Sequence, residues 1–471
     1  MALLPSFFIL QSGSRYLNLT QNIPAGLPSG FLKFDGEQVW SPRVKFAAEP
    51  AKTGDGRFVH IRSLYNNKYL VKNQIEKKSW IVASGKKPEE DTSKDSCTLF
   101  EPYSLADDGP TSVRLRQVQT QNSLTLTASS SEGDPQQQGL VASPTSNGSV
   151  FSVIDRESLV VLPSKIAFKS NDYYLQSMLI EGHGYQRFDP GLHNAEPRVA
   201  KELIPAADGK YRIRDEYWNQ FLTRHGSWVW ADSPDTNLSS DTMFSFVHIE
   251  NNIFGLRSSG NNAFCGRVTK EGKTNCLSAE FSTLANPARL IVEERVLKRE
   301  IVNIKYRLSD IRPYDQNPLE LDTQTTTNLL TDTETTSTLS FQETKSRTTS
   351  WTNSQTIDFG VSVSMSVEAI PFISEVGIEL ESNFTSTYNW GETKTETETT
   401  GVSHSVTVPP LKTYMVSLMA TTGVCEVPFS YTQRDLLPTG GWQEYEKDDG
   451  VFTGINSYNF HFDQVEINVD E

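Results

Sequence analysis

Leu4-Pro5-Ser6-Phe7-Phe8-Ile9-Leu10 is the stretch to read first. An apolar run so near the start resembles an export signal, but it has no cationic beginning, contains a proline and lacks a small-residue cleavage site. It also recurs. Leu4-Pro5-Ser6 returns as Leu162-Pro163-Ser164 and Tyr16-Leu17 as Tyr174-Leu175, both shifted by 158. Phe34-Asp35 then answers Phe188-Asp189, Pro42-Arg43-Val44 answers Pro197-Arg198-Val199, and Tyr69-Leu70 answers Phe221-Leu222. Trp80-Ile81-Val82-Ala83 meets Trp228-Val229-Trp230-Ala231, by which point the shift is 148. Such drift arises when loops gain or lose residues while strands stay fixed. The opening run is therefore part of a folded repeat, and two homologous domains are expected over 1–155 and 156–297.

Each copy contains a finer rhythm of three. A short alternating strand, a polar turn and an aromatic-aliphatic pair follow one another at Phe8 to Leu17, at His60 to Leu70 and at Val113 to Leu126. In the second copy the units begin near Ile166, Tyr211 and Ile253. Three hairpin-bearing units of this size cannot each bury an apolar face alone, so they are expected to close around one axis. The expectation is a β-trefoil with twelve short strands per copy, the alternative being another β barrel or sandwich.

The whole chain has 471 residues with 43 basic and 58 acidic side chains, a formal charge of −15. An acidic protein is poorly suited to neutralising nucleic-acid phosphates, so no nucleic-acid partner is expected. No run approaches the roughly 18 to 20 apolar residues of a membrane-spanning helix. Without an export signal a cytoplasmic location is expected, with the sequons at Asn18, Asn147, Asn237 and Asn383 unoccupied. Cys97, Cys265, Cys276 and Cys425 then read as reduced, small buried hydrophobes, the alternative being a Cys265–Cys276 bridge.

Beyond residue 298 the composition changes. From 323 to 356, 19 of 34 residues are Ser or Thr, and a second such tract runs from Gly391 to Val408. Residues 318–408 carry 13 acidic and 3 basic side chains, most of the chain's excess charge. Threonine suits a pleated strand, and Leu329, Leu339, Phe341, Trp351, Ile357 and Phe359 punctuate the first tract on a largely odd-numbered phase, so long polar strands are expected here rather than a linker.

Between the tracts, Phe359, Val361, Val363, Met365, Val367 and Ala369 alternate with Gly360, Ser362, Ser364, Ser366 and Glu368. Ile370-Pro371-Phe372-Ile373 reads as an apolar corner, after which Val376, Ile378 and Leu380 alternate with Glu375, Gly377, Glu379 and Glu381. A transmembrane β-strand needs about 9 to 11 residues with lipid-facing and lumen-facing side chains alternating. A hairpin over 359–381 meets that pattern. Its edges would be unsatisfied in hydrocarbon, so several chains must each donate one to a closed barrel. Glu368, Glu375, Glu379 and Glu381 would then ring the lumen and favour cations. In the water-soluble form the apolar face has to be stored against its own domain. The competing reading is an ordinary amphipathic hairpin packed on a soluble sheet.

The run Glu49-Pro50-Ala51-Lys52-Thr53-Gly54-Asp55-Gly56 through Val59-His60-Ile61-Arg62-Ser63, with Asn67-Lys68-Tyr69-Leu70-Val71, Trp80-Ile81 and Cys97-Thr98-Leu99-Phe100, closely resembles the amaranthin family of plant agglutinins. The resemblance covers about residues 1–297 and implies tandem β-trefoils. It also implies a head-to-tail homodimer and binding of galactosamine-type glycans between the N-terminal domain of one chain and the C-terminal domain of the other. The C-terminal part is similar, by pattern and domain order, to the aerolysin-type β-pore-forming module, giving a third domain over 298–471. The family's sugar contacts fall partly in the loop matched by Lys72, Asn73, Gln74, Ile75, Glu76, Lys77, Lys78, Ser79 and Trp80. Here Lys77, Lys78 and Ser79 replace the family's further aromatic and imidazole groups. Asn73, Gln74, Lys77 and Ser79 are candidate hydrogen-bonding groups for sugar hydroxyls, and Trp80 is a candidate apolar face for a pyranose ring, or else a core residue repeated as Trp228. Arg224, His225 and Ser227 occupy the corresponding loop of the second copy.

No metal-ligand cluster, phosphate loop, nucleophile elbow or paired acid and base is legible in the sequence, so neither an enzyme nor a cofactor is expected. The expected protein is all-β: two tandem β-trefoils followed by an aerolysin-like sheet domain. The expected function is a defence toxin that binds glycans, oligomerises and inserts the 359–381 hairpin. A soluble multidomain lectin is the rival.

Overall fold

The computed structural model describes residues 4–21, 23, 25–75, 77–127, 138–144, 147–353, 359–382 and 387–467. Glu76, Ile357 and Asn383 fall outside them. The described residues contain strands and short 3₁₀ turns and no α-helix. They form two compact units. One comprises the described residues of 4–299, 359–362 and 434–444, the other those of 300–353, 363–433 and 445–467.

Within the first unit, strands Phe7–Ser12, Phe46–Pro50, Val59–Ser63, Leu99–Tyr103, Ser112–Gln117 and Phe151–Asp155 each pair antiparallel with the next, and the last pairs with the first. Three hairpins leave this closed ring of six: Arg15–Leu19 with Leu32–Gly36, Tyr69–Ile75 with Lys78–Gly85, and Asn122–Leu126 with Leu140–Ser143. The same ring forms again from Lys165–Ser170, Lys201–Pro205, Tyr211–Asp215, Phe244–Glu250, Ile253–Ser258 and Leu290–Glu294. Its hairpins are Tyr173–Ile180 with His183–Asp189, Gln220–His225 with Trp228–Ser233, and Phe264–Lys270 with Lys273–Phe281. Closure leaves no open edge on the ring and lets every second side chain fill its interior. Phe8, Leu17, Leu70, Phe100 and Leu115 are enclosed in the first ring, and Phe168, Leu175, Leu222, Phe254 and Leu256 in the second. Trp40 stacks on Tyr211 across the two rings at 5.1 Å, and the Asp208 amide donates to the Tyr16 hydroxyl.

All four cysteines are free and buried, Cys265 and Cys276 included. Burial pushes the Cys265 thiol up to about 12 and those of Cys276 and Cys425 to about 11, so they act as small apolar side chains. The run quoted for the agglutinin resemblance also has a structural job. The Glu90 carboxylate accepts from the amides of Lys52 (2.8 Å) and Thr53 (3.0 Å), while buried His60 bonds Thr98 at 2.8 Å.

The second unit is built on long strands. In its main sheet the order is Val363–Met365, Lys298–Tyr306, Thr413–Leu436, Trp442–Ile467, Thr335–Thr352 and Thr393–Val408, with Arg312–Thr327 also paired to Thr413–Leu436. The Ser/Thr tracts are strands. Thr335–Thr352 pairs with Thr393–Val408 without a break from Thr335↔Val408 to Ser350↔Thr393. Hydroxyls cross between them at Thr336–Thr407, Thr338–Ser405, Thr344–Thr399 and Thr348–Thr395. The expected phase holds where the strand runs: Phe341 and Trp351 are buried, whereas Leu329, beyond the strand, is 81% exposed. The apolar core of this unit gathers at Ile301, Trp351, Ile370, Ile373, Cys425, Phe429, Tyr431 and Phe452.

Candidate functional site

Residues 359–362 of the amphipathic segment cluster with the first unit and residues from Val363 onward with the second. Phe359 packs on the core of the second ring, its ring 6.3 Å from Phe254 and nearly parallel to it. The Arg299 amide donates to the Ser362 carbonyl at 2.9 Å. Arg299 itself is buried, with both Asp435 carboxylate oxygens (2.7 and 2.9 Å) and Glu294 (2.6 Å) around its guanidinium. Burial opposes its charge, but these carboxylates prevail and raise its pKa further above the ordinary arginine value.

From Val361 to Ala369 the expected alternation is visible in burial: Val361, Val363, Met365, Val367 and Ala369 are half-buried, while Ser362, Ser364, Ser366 and Glu368 are exposed. Val363, Met365 and Val367 lean on the second unit's core. Their strand partner is not the returning half of the segment, because Val363–Met365 pairs with Lys298–Tyr306.

The expected corner is corrected. Ile370, Pro371, Phe372 and Ile373 lie in a strand, Ile370–Ser374, which pairs with Gly377–Glu381 in the register Ile370↔Glu381, Phe372↔Glu379 and Ile373↔Ile378. The turn falls at Glu375-Val376. Gly377 has φ +138°, a conformation side chains rarely adopt, and the Ser374 hydroxyl closes the turn on the Gly377 carbonyl at 3.0 Å. This pairing puts Pro371, Ile373, Ile378 and Leu380 on one face of the small hairpin and Ile370, Phe372, Glu379 and Glu381 on the other. The apolar face of the returning half is therefore not fully hidden: Ile378 is half-buried, but Leu380 is 44% and Val376 86% exposed.

Two side chains that the sequence reading missed hold this hairpin down. Asn456 Oδ1 accepts from the Ile373 amide at 2.9 Å and its Nδ2 donates to the Ile373 carbonyl at 2.8 Å, so an amide side chain replaces a neighbouring strand. Arg347 pairs with Glu381 and lies 5.7 Å over the Phe372 ring. No local pattern marks Asn456, which sits in an alternating strand like any other polar residue. Between hairpin and sheet is a cavity of about 490 Å³, lined by Arg347, Phe372, Glu381, Glu398, Tyr458 and others. The first strand of the hairpin packs into the core through Ile370 and Ile373, whereas Glu379 and Leu380 of the returning strand are exposed. Of the candidate lumen carboxylates, Glu368, Glu375 and Glu379 are exposed and Glu381 is ion-paired.

The candidate sugar residues of the first ring sit on one hairpin, with Asn73 opposite Trp80 and Gln74 opposite Ser79. Ser79 donates to Gln74 at 2.6 Å, and Lys77 is exposed in the turn. Of the two readings of Trp80, the core one holds and the sugar platform is corrected: Trp80 is 2% exposed and packs edge-on to Phe31 at 5.2 Å, with Lys78 over its ring. It belongs to the small core that the hairpin builds beneath itself. In the second ring Arg224 bonds Asp241, and the Ser227 hydroxyl accepts from Lys270 at 2.9 Å. His225 pairs with Asp232 and stacks on Trp230 at 4.2 Å, and His183 stacks on the same indole at 4.1 Å.

Two family models match the sequence: the agglutinin domain over residues 2–148, and the Clostridium epsilon toxin/Bacillus mosquitocidal toxin MTX2 family over 296–433. The chain joins an agglutinin domain to an aerolysin-type toxin domain. Natterin-2 of Thalassophryne nattereri is 27% identical over 176 residues, 37% of this chain and 46% of that protein, so the match spans less than half of the relative's length. Among solved structures, the lamprey immune protein aligns over 64% of this chain and 91% of its own, with 13% identity and a TM-score of 0.30. The aerolysin-like protein of Bombina maxima aligns over 36% and 99%, with 11% identity and a TM-score of 0.26. Both matched families are of lectin and toxin type.

Proposed function

We propose that the protein is a glycan-targeted pore former. The agglutinin rings recognise glycans, of galactosamine type if the family's preference persists, and concentrate the chain on a membrane. Copies then associate, and the segment 359–381 leaves its storage site to enter the bilayer, with Glu368, Glu375, Glu379 and Glu381 facing the lumen. In this reading the soluble protein resides in the cytoplasm, in the family's case as a head-to-tail dimer, and acts as a defence toxin after release.

One observation carries the reading. The stored segment is the connection between two long, mutually paired Ser/Thr strands; Ile370 and Ile373 anchor it in the core, Asn456 and Arg347 hold it by polar contacts, and it borders a cavity. From Gln342↔Gly401 to Thr349↔Lys394 those strands suit the walls of a water-filled stalk, since neither face carries a large apolar side chain there. The test is a lock: Ile373→Cys with Asn456→Cys, oxidised and then reduced, on vesicles of phosphatidylcholine, cholesterol and mixed gangliosides. The oxidised form should bind but release no dye, and reduction should restore release. Equal dye release in both forms would refute the movement. A soluble lectin would release none in either form.

A further inference from the structure

The two Ser/Thr strands also carry information about the inserted state. Their ladder runs unbroken to Ser350↔Thr393. Carried on in the same register, each residue beyond Ser350 meets one residue before Thr393. Val363 is thirteen residues past Ser350 and Leu380 thirteen before Thr393, so these two meet. Met365 then meets Ile378, Val367 meets Val376 and Ala369 meets Ser374, leaving Ile370-Pro371-Phe372-Ile373 as a four-residue loop. Loops of that length are common in hairpins, and proline favours the second position of the turn they contain. On the opposite face Ser362 meets Glu381 and Ser364 meets Glu379.

Every apolar side chain of the outgoing strand from Val363 to Val367 thus lies beside an apolar partner. A slip of one residue would place Val363 against Glu379 and Val367 against Glu375, because side chains alternate with period two. The nine residues from Val361 to Ala369 match the roughly 9 to 11 needed to cross a bilayer. Glu368 faces Glu375, an unfavourable like-charge pair, but it lies at the end next to the loop, in water on the far side.

The stored hairpin uses another register, in which Ile378 meets Ile373 rather than Met365, eight residues earlier. An even displacement keeps each side chain on its own face. We infer that the Ser/Thr ladder is the template that sets the register of the membrane hairpin, and that insertion moves the turn from Glu375-Val376 to Pro371-Phe372. This rests on the pore-forming reading. It also accounts for an apolar corner that is no corner in the stored form, and for a Gly377 whose left-handed backbone serves only storage.

Spin labels distinguish the registers. In full-length Ile373→Cys/Ile378→Cys the labelled β-carbons should start about 5 Å apart and separate to well over about 10 Å on insertion, with Ile373 in the loop and Ile378 four residues into the returning strand from Ser374. In Met365→Cys/Ile378→Cys the dipolar broadening of a 5 Å pair should appear only after vesicles of phosphatidylcholine, cholesterol and mixed gangliosides are added. Dye release with the 373/378 pair still close would overturn the template while leaving the pore former standing. No release and no change in either pair would overturn both.

Discussion

The repeated rings and the long-stranded unit are both all-β, but their strands are held by different forces. In the rings, short strands close around enclosed aromatic and aliphatic side chains such as Phe34 and Phe151, stacked at 5.2 Å. In the long-stranded unit, eight consecutive paired residues, from Gln342↔Gly401 to Thr349↔Lys394, bring no large apolar side chain to the ladder, which relies on backbone bonds and hydroxyl pairs such as Thr348–Thr395 at 2.9 Å. A closed ring with an apolar interior has one stable arrangement. A polar ladder whose side chains are alike on both faces discriminates poorly between neighbours, so it is the half suited to exchanging partners.

The comparison breaks most visibly if a ring core is emptied. Phe34→Ala should cost about 3–5 kcal/mol in urea unfolding of the first ring, while hydrogen exchange over 335–350 stays as in the wild type. A loss shared equally by both regions would mean that they fold as one and that the contrast is false.

A smaller effect comes from acid. Burial raises the Glu90 carboxyl, but the Lys52 and Thr53 amides and His60 overcome this and bring its pKa down to about 2. A folded pKa below the unfolded value gives stability that is present above about pH 4.5 and lost as pH falls through 2. Glu90→Gln should therefore destabilise the first ring by about 1–2 kcal/mol at neutral pH, allowing for solvent screening. The gap from wild type should close between pH 4.5 and 2. A gap independent of pH would assign the loss to packing instead. Exchange over 335–350 should not differ between the two proteins.

The smallest effect sharpens the contrast from the other side. Thr348→Ala removes one hydroxyl pair and should cost under about 1 kcal/mol, read as a few-fold faster exchange at Thr348 and Thr395. A larger loss would show that the ladder depends on its threonines much as a ring depends on its phenylalanines.

Much of this was legible in the sequence. The echo of Trp80-Ile81-Val82-Ala83 in Trp228-Val229-Trp230-Ala231 marked equivalent hairpins, and the odd-numbered phase through Phe341 and Trp351 marked a strand. The sequence left Trp80 open between a sugar platform and a core residue, because enclosure depends on Phe31 and on the hairpin's other neighbours, which spacing does not reveal. Asn456 was invisible because its importance comes from reaching the Ile373 backbone, 83 residues away.

The sequence by itself determined the two-faced character of 359–381, since alternation depends only on neighbours along the chain. Tertiary structure decided where that segment rests, which partner each half takes and where its turn lies. A strand's register is chosen by the surface and side chains it meets, and here Phe254, Asn456 and Arg347 all come from elsewhere in the fold.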